Sequence, residues 1–405
     1  MRVVVIGAGI SGTLVGRELA QAGHDVTVLE ARHVGAGSSS RTAAGIRQQF
    51  STPGTVQGMR YSVAFYKAFA QQTADGVSPI VQNGYLFLHG DDAALDGARA
   101  RAAMQQEAGL TEVEVLSRTA IADRFPWLAA DTLAGATHCP SDGFLLPQII
   151  YQEAARHLTE AGGRLLQNAP VTEARFNGRH LTQLLTPKGT FDCDLVIDCS
   201  NAWTPRLGRI LQGTELPVFA RKRYLWFVKR DAGFDAATLA HMPLTITPSG
   251  TYFRPENADT LMFGHKHDAE AENTFDYADQ DFIEPAFSHN GGIDARPFEL
   301  WAGLAEMFPA VGEFDGLVAT TSGYYAETPD HNPFLGYDPA VGNLIRLVGF
   351  SGHGAMMGPF TARVAHALVD AGHNLSTVEL EDGVVVSLDA FAFDRSFEAR
   401  EQMVI

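Results

Sequence analysis

Three glycines near the start of the sequence have the spacing of a phosphate-binding turn. Gly7, Gly9 and Gly12 fit the pattern G-x-G-x-x-G. The first glycine permits a tight turn, the second lets the backbone approach a pyrophosphate, and the third lets a helix pack closely on a strand. Glu30 follows about twenty residues later, where a carboxylate can accept hydrogen bonds from a ribose diol. Because that carboxylate also disfavours a 2′-phosphate, the pattern predicts a dinucleotide other than NADP.

A strand, a helix and a second strand must position this turn. Arg2 to Ile6 is a short β-branched run, which favours a strand buried on both faces. The next stretch places apolar residues on one helical face, and Gly23 is a suitable C-terminal cap. A second strand, Asp25 to Leu29, then ends at Glu30. This order predicts a Rossmann-type unit with the pyrophosphate at the positive end of the helix dipole.

Composition and charge limit the partners. The 405 residues exceed what one hydrophobic core usually serves, so we expect two domains. The formal charge of −17 disfavours nucleic acid and anionic membrane surfaces. Cys139, Cys193 and Cys199 lack a C-x-x-C spacing, and no segment has the length of a membrane helix. We therefore expect a cytoplasmic protein without a disulfide framework or a metal.

Five separated segments carry a family resemblance: GSSSRTAAGIRQQF (37–50), DCDLVIDCSNAW (192–203), LPVFARKRY (216–224), GYYAETPDHNPFLG (323–336) and GFSGHG (349–354). In this order they resemble the D-amino-acid oxidase superfamily of flavoproteins, in particular its sarcosine oxidase and dimethylglycine dehydrogenase branch. The stretches ARKRY, SGTYFR, GYYAETPDHN and GFSGHG are most similar to a sub-branch of FAD-dependent oxidoreductase-domain proteins, which includes a respiratory complex I assembly factor.

The resemblance implies an α/β fold with two interleaved domains. A Rossmann-type, glutathione-reductase-like FAD-binding domain would be assembled from residues 1–80, 144–210 and 330–405. An α+β substrate domain, residues 81–143 and 211–329, would place a mostly antiparallel sheet over the flavin. Sequence patterns predict helices at 93–108, 147–161 and 359–371, and strands at 194–199, 224–228, 261–264 and 344–348.

The implied activity is oxidation of the C–N bond of a small amine or amino acid, either N-methylated (secondary) or of the D series. In such enzymes a hydride equivalent passes from the substrate to flavin N5, and O2 or a quinone or other carrier accepts the electrons. Two alternatives stay open: an FAD-binding assembly or scaffold protein without turnover, and a flavin-dependent oxidoreductase of 2-hydroxy acids.

Five residues are candidates for a catalytic role. Arg47 matches the position where relatives bind the substrate carboxylate, and a guanidinium fork suits that role, although a structural ion pair is the alternative. His353 is a candidate for flavin proximity or for packing. Tyr252 and Arg254 alternate along a predicted strand, so both can face the pocket or a solvated sheet surface. Tyr325 is predicted to line the flavin cavity or to be a core aromatic.

Residues of the matched segments are predicted to contact FAD. Backbone N–H groups of the SGHGAM segment would face the flavin's pyrimidine end and stabilise its charge in the reduced state. The predicted FAD-binding residues are Gly7, Gly9, Ile10, Ser11, Gly12, Glu30, Ala31, Arg32, Ser38, Ser39, Arg41, Thr42, Ala44, Gly45, Ile46, Val171, Ser200, Asn201, Trp203, Gly323, Gly349, Ser351, Gly352, His353, Gly354, Ala355 and Met356.

The sequence departs from the family at three informative positions. Met356 stands where monomeric sarcosine oxidases carry a lysine that anchors the carboxylate. Gly323 lies near their cysteine that tethers FAD, so we expect non-covalent FAD. Met262 lies near the position that matches their oxygen-activating lysine. A quinone or another carrier is therefore as plausible an electron acceptor as oxygen. The run 265–268 (HKHD) resembles a metal cluster in composition, but a solvent-exposed turn is the preferred interpretation.

Overall fold

The computed structural model describes residues 1–266, 276–281, 296–310, 314–398 and 400–403. Within these residues, no helix combines the length and the apolar character needed to cross a membrane. The helices are α1 (Ile10–Gln21), α2 (Pro53–Phe69), α3 (Asp92–Glu107), α4 (Arg118–Arg124), α5 (Pro147–Glu160), α6 (Thr204–Ile210), α7 (Ala236–His241), α8 (Tyr277–Asp281), α9 (Arg296–Leu304) and α10 (Gly354–Ala371). The strands are β1 (Arg2–Ile6), β2 (Asp25–Leu29), β3 (Gly45–Ile46), β4 (Ile80–Val81), β5 (Tyr85–His89), β6 (Glu114–Ser117), β7 (Gly135–Cys139), β8 (Gly143–Leu145), β9 (Arg164–Leu166), β10 (Glu173–Asn177), β11 (His180–Thr186), β12 (Gly189–Asp192), β13 (Leu195–Asp198), β14 (Phe219–Arg230), β15 (Leu244–Ile246), β16 (Thr251–Asn257), β17 (Thr260–His265), β18 (Phe314–Glu327), β19 (Phe334–Tyr337), β20 (Leu344–Val348), β21 (Thr377–Glu379) and β22 (Val385–Ser387).

A six-stranded sheet contains the predicted glycine-rich unit. Its order is β19-β20-β13-β1-β2-β9, and every pair is parallel except β19–β20. Val3 and Val5 of β1 join the core formed with α1, whereas Val4 and Ile6 join a core shared with the β10–β12 sheet. Since alternate side chains of β1 are buried on both faces, an uninterrupted β-branched run is what this position requires. The predicted bounds of β1 and β2 are confirmed.

An eight-stranded sheet forms the second layer. Its order is β18-β14-β17-β16-β15-β5-β7-β6, and its pairs are antiparallel except β15–β5. Aromatic residues dominate its core, including Trp226, Phe253 and Phe308, and the rings of Phe253 and Phe308 stack with centroids 5.5 Å apart. The predicted fold class, a Rossmann-type domain with a mostly antiparallel second sheet, is confirmed.

The two large sheets divide the chain as the predicted domains do. All strands of the six-stranded sheet lie within 1–80, 144–210 and 330–405, and all strands of the eight-stranded sheet lie within 81–143 and 211–329. A small sheet, β3-β8-β4, links the two parts, and its central strand spans the predicted boundary at residue 144. We keep the domain boundaries as a proposal supported by this division.

The last long helix begins earlier than the sequence predicts. The predicted start is near Pro359, but α10 begins at Gly354 and contains Pro359 in its interior. Proline lacks the N–H that would bond to the carbonyl four residues back, which is that of Ala355. The Tyr66 hydroxyl donates to the Ala355 oxygen over 2.6 Å instead. Tyr66 is fully buried, so this tertiary contact replaces the missing helical bond.

This replacement predicts a specific coupling between two residues. Tyr66→Phe should lower the free energy of unfolding by about 1–3 kcal/mol, because a buried carbonyl loses its partner. In a Pro359→Ala background the loss should be smaller, since the new backbone N–H can bond to Ala355. Urea denaturation of the four chains of this double-mutant cycle measures the coupling. Tyr61→Phe, which removes a hydroxyl bonded to Glu381 at an exposed contact, is the control. Equal losses in both backgrounds would contradict the assignment.

Candidate active site

A cavity of about 550 Å³ lies at the carboxyl ends of β1 and β2. Parallel sheets commonly bind ligands at this edge, because the turns that follow the strands open there. Nineteen of the sequence-predicted residues line it: Gly7, Gly9, Ile10, Ser11, Glu30, Ala31, Arg32, Ser38, Ser39, Arg41, Thr42, Val171, Ser200, Asn201, Trp203, Tyr325, Gly352, Gly354 and Ala355.

The glycine-rich turn is as tight as its pattern predicts. Gly7 has a φ of +102°, which side chains rarely adopt. A Cβ on Gly12 would lie 1.9 Å from the Gly7 carbonyl oxygen, so any side chain there would separate α1 from the turn. The Ile10 N–H at the start of α1 donates to the Ser39 hydroxyl over 3.0 Å, which fixes the serine-rich loop against the turn.

Glu30 closes the opposite side of the turn. Its carboxylate accepts hydrogen bonds of 2.8 Å from the backbone N–H groups of Ala8 and Arg32. Glu30 is 4% exposed, and burial raises its pKa, although these backbone N–H groups oppose the shift. A carboxylate has about four lone-pair positions, so it retains capacity for a ribose diol.

Helix α8 covers part of the large cavity, which the sequence did not predict. Tyr277 lines the cavity and stacks on Trp203 with ring centroids 4.7 Å apart. Asp281 bonds to Arg32 over 3.1 Å and also contacts Arg41. No sequence signal identified this short helix, because its contacts are with residues distant in sequence, such as Arg32 and Lys222.

The start of α10 faces the large cavity from another side. Gly352, Gly354 and Ala355 line the cavity there. The first N–H groups of a helix lack intrahelical acceptors and carry partial positive charge. The predicted backbone donors of the SGHGAM segment therefore lie at the cavity wall, where negative charge on a ligand would be stabilised.

A second cavity of about 40 Å³ adjoins the first, and Thr42, Tyr325 and Gly352 line both. It contains four of the five catalytic candidates: Arg47, Tyr252, Tyr325 and His353. Of the predicted FAD-binding residues, Gly45, Ser351 and Met356 also line it. Ala43, Tyr85 and Leu244 complete the wall and were not predicted. Tyr85 and Leu244 belong to the eight-stranded sheet and lie in no family motif.

Arg47 is the charged centre of the small cavity and is only 1% exposed. Its terminal nitrogens contact the carbonyl oxygen of Gln49 at 2.5 Å and that of Met403. Its Nε has no partner among the described residues. The guanidinium also lies 4.0 Å from the centroid of the Phe50 ring, a cation–π distance. A buried guanidinium with an unsatisfied donor is suited to binding an anion.

His353 lies against this guanidinium. Its Nε2 is 3.4 Å from an Arg47 nitrogen, and its ring packs edge-on against Phe50. Burial, followed by the charge of Arg47, holds the pKa of His353 well below its usual value, so the imidazole is neutral at physiological pH. Since arginine can only donate, Nε2 is the acceptor, and Nδ1 carries the proton.

Three tyrosines surround the remaining wall of the small cavity. Burial raises the pKa of Tyr85, Tyr252 and Tyr325, so their hydroxyls stay protonated at physiological pH. Arg47 opposes the shift at Tyr85. These hydroxyls can therefore donate hydrogen bonds to a ligand without adding charge.

Asp142 fixes the two residues that follow Arg47 in the sequence, and the sequence analysis did not predict it. This fully buried carboxylate accepts from the Gln48 backbone N–H and side-chain amide, each at 2.9 Å, and from the Gln49 amide at 3.1 Å. Burial raises the pKa of Asp142 to about 6, while both glutamines and Arg47 oppose the shift. Asp142 thus fixes the backbone whose Gln49 carbonyl orients Arg47.

Several predicted residues lie outside both cavities. The Arg254 guanidinium donates to the Ala43 carbonyl over 2.7 Å and pairs with Glu256 at 2.8 Å, so it supports the 42–44 loop from outside the pocket. Gly12, Ala44, Ile46, Gly323 and Gly349 also line neither cavity. His267 and Asp268 of the candidate metal run lie outside the described residues, and within the described part of the chain no group of His, Cys, Asp and Glu has metal-site geometry.

The residues of the large cavity fit FAD. The glycine turn and the α1 N-terminus suit a pyrophosphate, and Glu30 suits a ribose. Two buried donors at the cavity wall, Trp203 Nε1 and Arg41 Nε, have no partner among the described residues. The chain belongs to the FAD dependent oxidoreductase family, which matches residues 2–368. It is therefore an FAD-dependent oxidoreductase, and the predicted superfamily and cofactor are confirmed.

Known relatives extend this assignment over the whole chain. The FAD-dependent oxidoreductase domain-containing protein 1 of Bos taurus is 27% identical over 100% of this chain and 87% of its own length. Glycine oxidase of Geobacillus kaustophilus (strain HTA426) is 26% identical over 91% of this chain and 92% of its own. The crystal structure of L-proline dehydrogenase from P.horikoshii superposes with a TM-score of 0.81, at 26% identity, over 92% of this chain and 94% of that one.

Loss of Gly12 should abolish FAD binding. In Gly12→Ala the new methyl group would collide with the Gly7 carbonyl, which moves α1 and its N-terminal N–H groups away from the pyrophosphate position. We expect purified Gly12→Ala to lack visible flavin absorbance and to take up no added FAD. Gly303→Ala is the control, because a Cβ there meets nothing within 4 Å. A yellow Gly12→Ala protein with parental FAD affinity would contradict the predicted role of the turn.

Asp142 should give the protein a defined pH dependence of stability. The pKa of about 6 exceeds the ordinary value of 3.8, so the folded state retains the proton longer than the unfolded chain does. The free energy of unfolding should therefore fall by about 2 kcal/mol from this group as pH rises from 4 to 6. Urea denaturation across this range should show a fall about 2 kcal/mol larger in the parent than in Asp142→Asn, in which Glu30 and the other groups still titrate. Parallel pH profiles for the two proteins would contradict the shift.

Proposed function

We propose that this protein oxidises the C–N bond of a small amine or amino acid whose carboxylate is bound by Arg47. The observation that carries the proposal is the buried Arg47 guanidinium, with a partnerless Nε among the described residues, in a cavity that adjoins the FAD-binding cavity. A carboxylate held there would place the adjacent carbon near Thr42, Tyr325 and Gly352, the residues common to both cavities. Names of relatives, glycine oxidase and L-proline dehydrogenase, support this substrate class.

The electrostatics of the small cavity favour an uncharged amine. Among the described residues that line it, Arg47 is the one ionised at neutral pH, because His353 and the tyrosines are neutral. A positively charged neighbour and burial both lower the pKa of an amine. The neutral form of the substrate amine would therefore bind preferentially, with the ammonium proton released to solvent before the amine enters the cavity. The neutral amine has the nitrogen lone pair that imine formation requires.

The three tyrosine hydroxyls remain protonated in this cavity and add no negative charge that would retain the ammonium proton. The buried Asp142 carboxylate accepts hydrogen bonds from Gln48 and Gln49 and does not line the cavity, so it does not reach the substrate amine. The chain therefore binds and orients the substrate, excludes water and favours the reactive protonation state of the amine.

FAD, when bound, supplies the two-electron acceptor for this oxidation. The N-terminal N–H groups of α10 would stabilise negative charge that develops on the group they face. Met262, which lies near the position that matches the oxygen-activating lysine of monomeric sarcosine oxidases, is fully buried and uncharged. We therefore propose a quinone or another carrier alongside O2 as the electron acceptor, and non-covalent FAD because Gly323 offers no thiol.

Replacement of Arg47 should separate carboxylate-containing substrates from simple amines. We expect Arg47→Met to lower kcat/KM for N-methylglycine by about 100-fold or more, because a charge-assisted bidentate contact is lost. The rate with methylamine, which has no carboxylate, should fall far less, because this substrate loses only the support that the Arg47 charge gives to the neutral amine. Anaerobic reduction of the flavin absorbance by N-methyl, D-amino, cyclic imino and 2-hydroxy acids gives the substrate class directly.

The same titration tests the alternatives. A flavin that no member of the panel reduces would contradict the proposed oxidation and favour a protein without turnover. Reduction by 2-hydroxy acids alone would contradict C–N bond oxidation while leaving Arg47 as a carboxylate anchor. Readmission of air after reduction then reports whether O2 accepts the electrons.

A further inference from the structure

The main chain of residues 401–403, called here the tail strap, lies beside the small cavity and contacts Arg47, although its residues are not among those that line the cavity. The Met403 carbonyl accepts a hydrogen bond from Arg47. The Met403 side chain packs against the apolar cluster that includes Tyr85, Leu244 and Tyr252, three residues of the cavity wall. The strap therefore contacts both the charged centre and the apolar wall of the proposed substrate site.

A latch outside the cavity holds the strap in place. Glu401 is 1% exposed, and its carboxylate accepts from the Ser51 hydroxyl at 2.7 Å, the Met403 N–H at 2.9 Å and the Ser51 N–H at 3.0 Å. The Gln402 N–H donates to the Ser51 hydroxyl oxygen over 2.9 Å. Ser51 and Glu401 thus hold the strap through contacts that do not involve Arg47.

The contacts of Arg47 identify the group that a ligand must replace. Gln49 and His353, two of its hydrogen-bond partners, are 1% and 4% exposed, whereas Met403 is only partly buried. A carboxylate binds a guanidinium best through two neighbouring N–H groups. Since Gln49 and His353 lie within the packed interior, the Met403 carbonyl is the partner that can leave with the least rearrangement.

The volume of the small cavity also indicates that the Met403 carbonyl must move. Its volume is about 40 Å³, whereas sites that enclose small molecules usually measure about 300–1,000 Å³. An amino acid can reach Arg47 only if part of the wall moves. Glu401 is fixed in the interior, because its N–H donates to the Asp330 carbonyl over 3.0 Å and its carbonyl oxygen lies 3.2 Å from His331 Nδ1. Gln402 is exposed and Met403 partly exposed, and their N–H groups are held by one hydrogen bond each.

We propose that the tail strap is a displaceable plug of the substrate site. A substrate carboxylate replaces the Met403 carbonyl on Arg47, and Gln402 and Met403 move outward from the fixed Glu401 to admit it. This inference rests on the proposed role of Arg47 as the carboxylate anchor. The apparent affinity for any carboxylate is then reduced in proportion to the fraction of molecules whose strap is displaced.

Weakening the latch should tighten carboxylate binding. We expect Ser51→Ala and Glu401→Gln each to lower the calorimetric Kd of the FAD-loaded, full-length protein for acetate by about fivefold, because more molecules have Arg47 accessible. With a substrate that turns over, KM should fall while kcat stays near the parental value. Glu398→Gln is the matched control, since this carboxylate is exposed and lies outside the strap.

A label on the strap reports its displacement without turnover. The side chain of Gln402 is exposed, and Cys139, Cys193 and Cys199 are buried, so a fluorophore can be attached selectively to Gln402→Cys. Acetate should change the emission of the label with the same Kd that calorimetry gives. The change should be absent when Arg47→Met is added.

The outcomes separate the strap from the anchor. Unchanged acetate affinity in both latch variants would overturn the plug while leaving the anchor intact. Tightening confined to Glu401→Gln would also overturn it, because removal of a negative charge near Arg47 would then explain the effect. If acetate fails to bind the parent and both latch variants, the proposed carboxylate anchor itself is contradicted.

Discussion

The buried charge of Arg47 is the constraint on which the architecture of the small cavity depends. Burying a guanidinium is costly unless its donors are satisfied, and no carboxylate contacts this one within the described residues. The charge is stabilised instead by two backbone carbonyls, those of Gln49 and Met403, by the neutral imidazole of His353 and by the face of the Phe50 ring. Neutral acceptors balance the charge only in part, which supports our proposal that the ligand bound there is an anion. A ligand carboxylate would supply the ion pair that the fold leaves unmade.

Interleaved topology is what allows such an environment to form. Arg47 directly follows β3, which pairs with β8, and Asp142 lies immediately before β8. The same strand pair therefore brings Asp142 to the backbone that orients Arg47. His353 arrives from the turn before α10, which also presents the helix N-terminus to the large cavity. The link between the two cavities thus follows from how the chain crosses between its two large sheets.

The sequence predicts the local parts of this site better than the distant ones. Gly7, Gly12 and Glu30 act within one strand–helix–strand unit, so their spacing alone specifies the turn and its ligand class. Tyr85 and Asp142 act through contacts across the sheets, and no local pattern encodes them. Arg254 shares a strand face with Tyr252, yet it lies beyond the edge of the cavity and meets the 42–44 loop instead. Strand periodicity gives the direction of a side chain and not what lies opposite it.

The tertiary contacts at α10 show why a local rule also failed there. Proline is a sound sequence signal for a helix start, and a start at Pro359 would have been correct had Ala355 lacked another donor. Tyr66, almost three hundred residues earlier in the chain, supplies that donor and lets α10 begin five residues sooner. This extension brings the free N–H groups of Gly354 and Ala355 to the wall of the large cavity. A contact that stabilises the fold therefore also places the positive end of a helix at the proposed flavin site, and the same residues serve both purposes.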